Sequence, residues 1–506
     1  MTFVDYQQLS PMQKFGYRLK MFFKNLPGAF GRFFKAIGRG IVNFFKAIVT
    51  GFKNYGTTFV KGDWATKLSY VIFGFGDLHK GKIYKGILYF LVEVLYIVFM
   101  IVFGADKMYW LPTLGTQGRV VEYDEFGFER VVSEGQRSML LLLYGTLTLV
   151  VTVVVFAIYI SNIKDAYRHQ QMRERGEKPT SFKHDMHEFL DGKYHITLLS
   201  FPILMIGVFN ILPLIFMILI AFTNYDGGTH FVLFDWCGLT NFANLFNVVD
   251  SAAKAKTFFG VAGWTLVWAI AATFSNYILG MIVALMINKK GIKLKKVWRT
   301  ILVMTIAIPQ FISLLYVSKM FAKNGIVNGV LLDLGWIKQA IDFWGSQEHN
   351  ALLPRVMVIL INIWIGIPYL MLIATGILMN IPADLYESSR IDGANAWQQY
   401  TKITLPYMLF ITGPYLLTSF TGNMNNFNVI FLLTGGAPTN AAASGASGSV
   451  GFTDLLITWL FKITTGAEAQ YYLASVVGIM VFVVVAVISL VVYNVLPSIK
   501  NEEDFQ

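Results

Sequence analysis

Residues 387–406, ESSRIDGANAWQQYTKITLP, form a polar stretch in the second half of an otherwise apolar chain. Hydrophobic runs long enough to cross a bilayer flank it on both sides. Pro382 suits the first turn of a helix, and Gly393 suits a helix end in the left-handed conformation. The pattern therefore predicts two short helices between two membrane spans, Ala383–Asp392 and Asn395–Lys402. Such a loop either docks into a groove of a partner protein or is an ordinary solvated loop.

The composition predicts an all-α integral membrane protein. Of the 506 residues, 55% are hydrophobic and 14% are charged, whereas an average soluble domain carries about 25% charged residues. So little polar surface cannot cover that apolar interior in water, so lipid is the expected solvent. About eight transmembrane helices are predicted, at Ile83–Phe103, Met139–Ile160, Ile196–Phe222, Phe258–Ile287, Thr300–Phe321, Val356–Met379, Leu405–Leu433 and Tyr471–Tyr493.

The distribution of basic residues predicts the topology. The net charge is +11, and clusters of Lys and Arg follow the second and fourth spans, at residues 164–193 and 289–299. The positive-inside rule places these loops and both termini in the cytoplasm. Because the basic residues flank apolar runs, nucleic acid is not an expected partner. A single cysteine, Cys237, excludes an internal disulfide and a cysteine-cluster metal site, and no metal or cofactor is predicted.

The first 82 residues contain a repeat. Phe-Phe-Lys recurs at Phe22, Phe33 and Phe44, a period of 11 residues that keeps the aromatic pairs on one helical stripe. A basic amphipathic helix lying in the lipid headgroup region is predicted, the alternative being a poorly ordered cytoplasmic tail. The predicted division is a surface region 1–82, two extra spans with a basic loop 83–193, a six-span core 194–498 and a cytoplasmic tail 499–506.

Two features of the sequence are typical of other functions, ATP binding and ion-coupled transport. Residues 76–83, GDLHKGKI, have the glycine and lysine spacing of a phosphate-binding loop, but Ile83 stands where the metal-binding Ser or Thr is needed. ATP binding by this chain is therefore not expected. Glu93 lies near the middle of the first span, where a carboxylate is costly and often functional. It indicates either an ion-coupled secondary transporter or a carboxylate hydrogen-bonded to a neighbouring segment.

The polar stretch resembles the signature loop of the permeases of binding-protein-dependent ABC importers, E-A-A-x3-G-x9-I-x-L-P. The spacing is kept in full, with serines replacing the two alanines. The resemblance implies that this segment is the coupling helix, which seats in a cleft of a cytoplasmic ATPase. The matching residues are Glu387, Ser388, Ser389, Asp392, Gly393, Ala394, Ile403, Leu405 and Pro406.

Other segments resemble the MalF-like permeases of maltose and maltodextrin importers, from about Tyr194 to the tail. They include WIGIPY at 364–369 and NMNNF at 423–427. The resemblance implies a sugar site at mid-membrane, and Gly and Pro in the sixth and seventh spans are expected to break those helices there. The first 190 residues match only loosely. The residues implied in substrate binding are Gly366, Tyr369, Asn423, Asn426 and, at a fifth-span position where the family pattern is not kept, Gln310. Ile306 is a second such departure. For the asparagines the alternative is hydrogen bonding between helices.

The implied function is that of the membrane subunit of an ATP-driven importer of maltose or maltodextrin-type oligosaccharides, with no catalytic activity of its own. The implied partners are a second homologous permease, a cytoplasmic ABC ATPase dimer and an extracytoplasmic sugar-binding protein. Because the outer loop after the third span is short, a lipid-anchored binding protein is expected, in a bacterial plasma membrane. A permease for another oligosaccharide or a polyol phosphate, and the ion-coupled transporter, are the alternatives, and a membrane scaffold is a remote one.

Overall fold

The structure, a computed structural model, describes residues 11–123, 126, 129–177, 181–246, 252–289, 291–345, 351–440, 450–466 and 469–495. The predicted tail 499–506 and the first ten residues lie outside the described residues. The chain divides into two compact units, Met1–Gly238 and Leu239–Gln506. Each unit is considered separately below.

The first unit is mainly helical. A short hairpin follows the first span, with strands β1 (Val120–Tyr123) and β2 (Glu129–Ser133) paired antiparallel. This hairpin was not predicted from the sequence. A π turn, Met100–Gly104, joins the fourth and fifth helices, and another, Gly207–Ile211, joins the eighth and ninth. The helices are α1 (Pro11–Lys61), α2 (Trp64–Leu68), α3 (Phe75–His79), α4 (Ile83–Phe99), α5 (Ala105–Trp110), α6 (Ser138–Glu174), α7 (Phe182–Leu190), α8 (Tyr194–Ile206) and α9 (Leu212–Ile220).

The N-terminal repeat lies in the 51-residue helix α1, as the sequence predicts. Phe44 and Phe45 leave 63% and 60% of their surface exposed. The side chains of the two earlier Phe pairs lie outside the described residues. Contact of α1 with lipid stays a prediction, supported by this exposed aromatic surface because a soluble helix would bury it.

A buried polar network holds α2 and α3 against α6. Lys80 Nζ donates to Asp63 Oδ1 at 3.2 Å, to Thr66 Oγ1 at 2.5 Å and to the Ala166 carbonyl at 2.9 Å. Gln170 Oε1 accepts from the backbone N–H of Asp63 at 2.8 Å. Burial lowers the pKa of Lys80, while the Asp63 carboxylate opposes that shift. The phosphate-loop-like segment is therefore part of the packing of this unit. Lys80 is buried in this network, and Lys82, the lysine at the phosphate-loop position, is buried and pairs with Asp185 at 2.5 Å.

The described part of the second unit contains four helices of 20 residues or more. The helices are α10 (Thr240–Phe246), α11 (Ala252–Asn288), α12 (Lys295–Ala307), α13 (Gln310–Met320), α14 (Ile326–Asp333), α15 (Leu352–Met379), α16 (Ala383–Ile391), α17 (Ala396–Gln399), α18 (Leu405–Met424), α19 (Phe427–Leu433), α20 (Leu456–Thr465) and α21 (Tyr471–Val495). A core of Trp268, Leu314, Val358, Val429 and Ile430 joins α11, α13, α15 and α19, and each side chain is almost fully buried.

Seven helices among the described residues are long and apolar enough to cross a membrane, or eight when the bent pair α12 and α13 is one span. The predicted fold class and number of spans are confirmed. The expected position of one break was wrong. Helix α15 runs without interruption across Gly366 and Pro368, whereas the fifth span bends by 90° between α12 and α13. Surrounding helices hold a proline-containing helix together where its freed carbonyl is packed against protein.

A buried ion pair organises the segment before α20. Asp454 is 1% exposed, and its carboxylate accepts from Lys462 Nζ at 2.7 Å, from the Gly451 N–H at 2.7 Å and from Thr458 Oγ1 at 2.9 Å. Burial raises the pKa of the Asp454 carboxyl above its ordinary value, although these hydrogen bonds and the lysine charge oppose the rise. Gly436, at φ +90°, packs directly against this pair and leaves no room for a side chain.

Candidate functional site

A cavity of about 320 Å³ lies at the bend of the fifth span. Ile308 has an extended backbone with ψ 125°, because the ring of the following Pro309 excludes the helical conformation before it. Helix α12 therefore ends, and α13 starts in a new direction. The cavity lies between this bend and α15, and it is lined by Thr305, Ile306, Ala307, Ile308, Pro309, Gln310, Ser313, Trp364, Ile365 and Tyr369.

Two of the predicted substrate residues meet in this cavity. Gln310, at the start of α13, and Tyr369, in α15, both line it. The Tyr369 side chain is 51% exposed, and its ring centroid is 6.3 Å from that of Tyr415 in α18. Trp364 and Ser313 also line the cavity. They were not predicted as site residues from the sequence. The lining has one carboxamide, three hydroxyls and two aromatic rings, groups that suit a ligand rich in hydroxyl groups.

Gly366 has a packing role in this structure. A Cβ atom there would lie 2.6 Å from Asn276 Cγ in α11, so only glycine lets the two helices approach so closely. One turn further, Gly280 of α11 meets Leu370 of α15 in the same way. Gly366 is not among the cavity-lining residues. Its contribution to a substrate site therefore stays a prediction.

The predicted amides Asn423 and Asn426 lie at the break between α18 and α19. Asn423 Nδ2 donates to Thr273 Oγ1 of α11 at 3.0 Å, and its carbonyl accepts from Trp268 Nε1 at 3.1 Å. Asn426 Nδ2 donates to Asn423 Oδ1 at 3.3 Å, and Asn426 Oδ1 accepts from the Val429 N–H at 3.4 Å. The structure does not bring these amides into the cavity. In this conformation they join helices and cap α19.

The predicted coupling segment forms a helix, a turn and a second helix. Helix α16 ends at Ile391, one residue from the predicted end, and Gly393 has φ +76°. A capping box starts α17: Asn395 Oδ1 accepts from the Gln398 N–H, and the Gln398 side chain accepts from the Asn395 N–H. The turn is fastened by the Ala394 N–H, which donates to the Ser389 carbonyl at 2.9 Å. The predicted helix end at Gly393, in the left-handed conformation, is confirmed.

The second short helix is not separate from the following span. Helix α17 continues through a π turn, Tyr400–Thr404, directly into α18, so the expected end at Lys402 was wrong. The wider turn accommodates Pro406, which has no N–H to donate to the preceding turn. Tyr386 Oη lies 2.8 Å from the buried Thr404 Oγ1. That contact fixes α16 against the foot of the span.

The outer surface of the segment is suited to a protein partner. Ile391 and Trp397 are 87% and 71% exposed, and neither was singled out from the sequence. Glu387, Ser388 and Pro406 are exposed, whereas Ile403 and Leu405 are half-buried against the helices. A polar hollow of about 270 Å³ between the two short helices is lined by Ser389, Asp392, Gly393, Ala394, Gln398, Gln399, Lys402 and Ile403.

Glu93 has a structural partner. Its Oε2 accepts from the backbone N–H of Phe73 at 2.9 Å, which ties α4 to the loop between α2 and α3. This is the hydrogen-bonded alternative stated for Glu93. The Glu93 side chain is therefore hydrogen-bonded to a neutral backbone donor.

The sequence of this chain is similar to those of known transport proteins. Residues 276–501 match the family described as the binding-protein-dependent transport system inner membrane component. The maltodextrin transport system permease protein MdxF of Bacillus subtilis is 33% identical over 442 residues, which cover 86% of this chain and 95% of that protein. The chain belongs to this family. The match is longer than the 313 residues from Tyr194 onward, so the permease resembles its relatives further towards the N-terminus than the motifs suggested.

Further relatives differ in coverage. The galactooligosaccharides transport system permease protein GanP of Bacillus subtilis is 33% identical to the permease over 439 residues, 85% of this chain and 97% of that protein. The maltose/maltodextrin permease MalF of Escherichia coli K12 is 33% identical over 255 residues, 50% of this chain and 48% of that protein. A crystal structure of a bacterial ABC transporter that imports alginate contains a chain with TM-score 0.49 and 22% identity, covering 63% of this chain and 100% of that one.

Proposed function

We propose that the chain is the permease subunit of an ATP-driven importer of maltose or maltodextrin-type oligosaccharides. The observation that carries this proposal is the nearly full-length similarity to a maltodextrin permease. An extracytoplasmic binding protein, which we expect to be lipid-anchored, delivers the sugar. A second homologous permease completes the pore, and a cytoplasmic ATPase dimer drives it. The termini face the cytoplasm of a bacterial cell.

The cavity at the α12–α13 bend supports a neutral sugar as substrate. The ring of Tyr369 can cover a pyranose face while the Gln310 carboxamide exchanges hydrogen bonds with hydroxyls. A polyol phosphate would call for a cation, and none of the ten residues lining this cavity is charged.

The coupling segment supports the proposed energy source. Helices α16 and α17 present exposed apolar side chains, Ile391 and Trp397, on a surface with a polar hollow between them. A cleft of the ATPase dimer would cover them. Glu387, Ser388, Ser389, Asp392, Gly393 and Ala394 form the contact in this proposal, and Ile403, Leu405 and Pro406 connect it to the span.

The substrate class is tested with the complex of permease, second permease, ATPase and binding protein in liposomes. Uptake is measured with glucose oligomers of increasing length and, in parallel, with galactose oligomers. Preference for the glucose series is expected. Because GanP is as similar to this chain as MdxF is, galactooligosaccharides are the second candidate. Uptake confined to the galactose series would overturn the maltodextrin assignment.

The site is tested by Tyr369→Ala. Loss of the ring is expected to lower sugar uptake at limiting concentration by about fivefold, since an aromatic contact is worth about 1 kcal/mol. Tyr316→Ala is the matched control, because Tyr316 lies in the adjacent α13, is 70% exposed and does not line the cavity. Equal uptake by the two variants would show that the cavity is not the site.

The ion-coupled alternative is tested by Glu93→Gln. A glutamine oxygen can accept the same Phe73 N–H, so transport is expected to stay within about twofold of the wild type. An ion-coupled carrier needs a carboxylate that titrates. Uptake that collapses in this variant, or that persists without ATP and responds to a proton gradient, would favour the secondary transporter.

A further inference from the structure

Three tyrosines fix the point where α1 crosses α6. Tyr55 Oη and Tyr159 Oη are 2.8 Å apart, Tyr159 Oη donates to the Tyr70 carbonyl at 3.1 Å, and Tyr70 Oη donates to the Tyr55 carbonyl at 2.8 Å. Burial raises the pKa of Tyr70 to about 12, so this phenol stays a proton donor at neutral pH. The two helices are therefore held at a defined crossing.

A cavity of about 430 Å³ opens between the two helices beside this crossing. Its walls are apolar and include Phe52 of α1 with Phe156 and Ile160 of α6. Polar groups also line it, among them the Asn54 amide and Lys164, the one charged residue of the lining. Helix α6 carries no charged residue from 139 to 160 and becomes charged from Lys164 onward. The cavity thus lies where an apolar span gives way to its charged extension, the level of the lipid headgroups.

The charge of α1 selects one class of lipid. Pro11–Lys61 contains ten Lys and Arg residues and no Asp or Glu. A helix of this composition attracts anionic headgroups, and basic pockets beside membrane spans bind such headgroups specifically. A neutral or zwitterionic lipid would gain the apolar contact but not this attraction.

We propose that this cavity is a binding site for one anionic phospholipid. An acyl chain lies in the apolar groove between α1 and α6, and the phosphate lies beside Lys164. The occupant is a lipid of the bilayer because the site combines an apolar groove with a basic rim at the membrane surface. The bound lipid would fill the space between the two helices and hold α1 at the membrane surface.

The glycines of α1 offer a matched pair of variants. Gly51 lines the cavity, and a Cβ atom added there meets no atom within 4 Å. Gly56 of the same helix also has open space around it but does not line the cavity. Gly51→Trp therefore fills the groove, whereas Gly56→Trp makes the same chemical change outside it. Lys164→Gln and Lys53→Gln form the corresponding pair for the charge, because Lys53 lies in α1 outside the cavity lining.

The experiment is native mass spectrometry of the full chain in detergent, with phosphatidylglycerol or phosphatidylcholine added. The wild type and the two control variants are expected to retain one phosphatidylglycerol at a concentration at least tenfold lower than phosphatidylcholine. Gly51→Trp should lose that adduct, and Lys164→Gln should lose the preference between the lipids. Retention by Gly51→Trp, loss in Gly56→Trp, or equal retention of both lipids by the wild type would overturn the proposal. Circular dichroism confirms that the variants keep their helices.

Discussion

Gly393→Val is expected to lower the ATPase stimulation produced by loaded binding protein about tenfold, with the membrane spans still folded. Gly393 has φ +76°, and a Cβ there meets no atom of this chain within 4 Å, so within the permease the effect comes from the backbone conformation. A β-branched residue in the left-handed region costs about 1–3 kcal/mol. Each 1.4 kcal/mol removes a factor of about ten from the population of the native turn. The measurement is ATP hydrolysis by the reconstituted complex.

Two further variants separate this effect from a general loss of stability. Gly393→Asn should retain most of the stimulation, because asparagine tolerates the left-handed conformation. Gly376→Ala in α15 also adds a side chain in open space but at an ordinary helical φ, so it should be neutral. Stimulation by Gly393→Val equal to that of the wild type would contradict the assignment of this segment as the ATPase contact.

Lys462→Met is expected to destabilise the second unit by about 3–5 kcal/mol at neutral pH. It leaves the Asp454 carboxylate buried without its lysine, and an uncompensated buried charge has a cost of this size. The fall in thermal unfolding temperature in detergent measures it. Lys323→Met, at an exposed lysine, is the control and should have little effect. The double variant Lys462→Met, Asp454→Asn should recover part of the loss because the buried charge is gone.

The same variant gives a pH dependence of known sign. Burial already raises the pKa of Asp454, and removal of Lys462 raises it further. Between the unfolded and folded pKa values the native state binds more protons, so stability falls as pH rises through that window. The unfolding temperature of Lys462→Met should therefore fall from pH 5 to pH 8 more steeply than that of the wild type. An identical pH dependence would show that Lys462 does not control this carboxyl.

Local chemistry explains what could be predicted from the sequence. The turn at Gly393 depends on residues within a few positions of one another, and its geometry follows from a glycine and an asparagine cap. The number of spans depends on run length and apolar composition. The bend at Pro309 could also have been predicted from the sequence. Proline lay inside both the fifth and the sixth span, but local rules alone do not say which of the two helices a neighbour will hold straight.

Distant contacts explain what could not be predicted. The closeness of Gly366 to Asn276 depends on α11 and α15 lying side by side, 90 residues apart in sequence. The bond from Asn423 to Thr273 likewise joins segments 150 residues apart. A polar side chain in an apolar span shows that a partner is required, but not whether that partner is a neighbouring helix or a ligand. For Gln310 and Tyr369, which line one cavity, a role in substrate binding stays part of the proposed function.

The π turn between α17 and α18 makes residues 396–424 one continuous rod of 29 residues, about 43 Å long at 1.5 Å per residue. One end carries Trp397, and the other stops at the break before Asn426. If the ATPase moves the Trp397 end, as the proposed function requires, the rod works as a lever whose far end moves at the Asn423–Asn426 break. The helix between them can bend most easily at two places, the widened turn Tyr400–Thr404 and Pro414, which donates no backbone hydrogen bond.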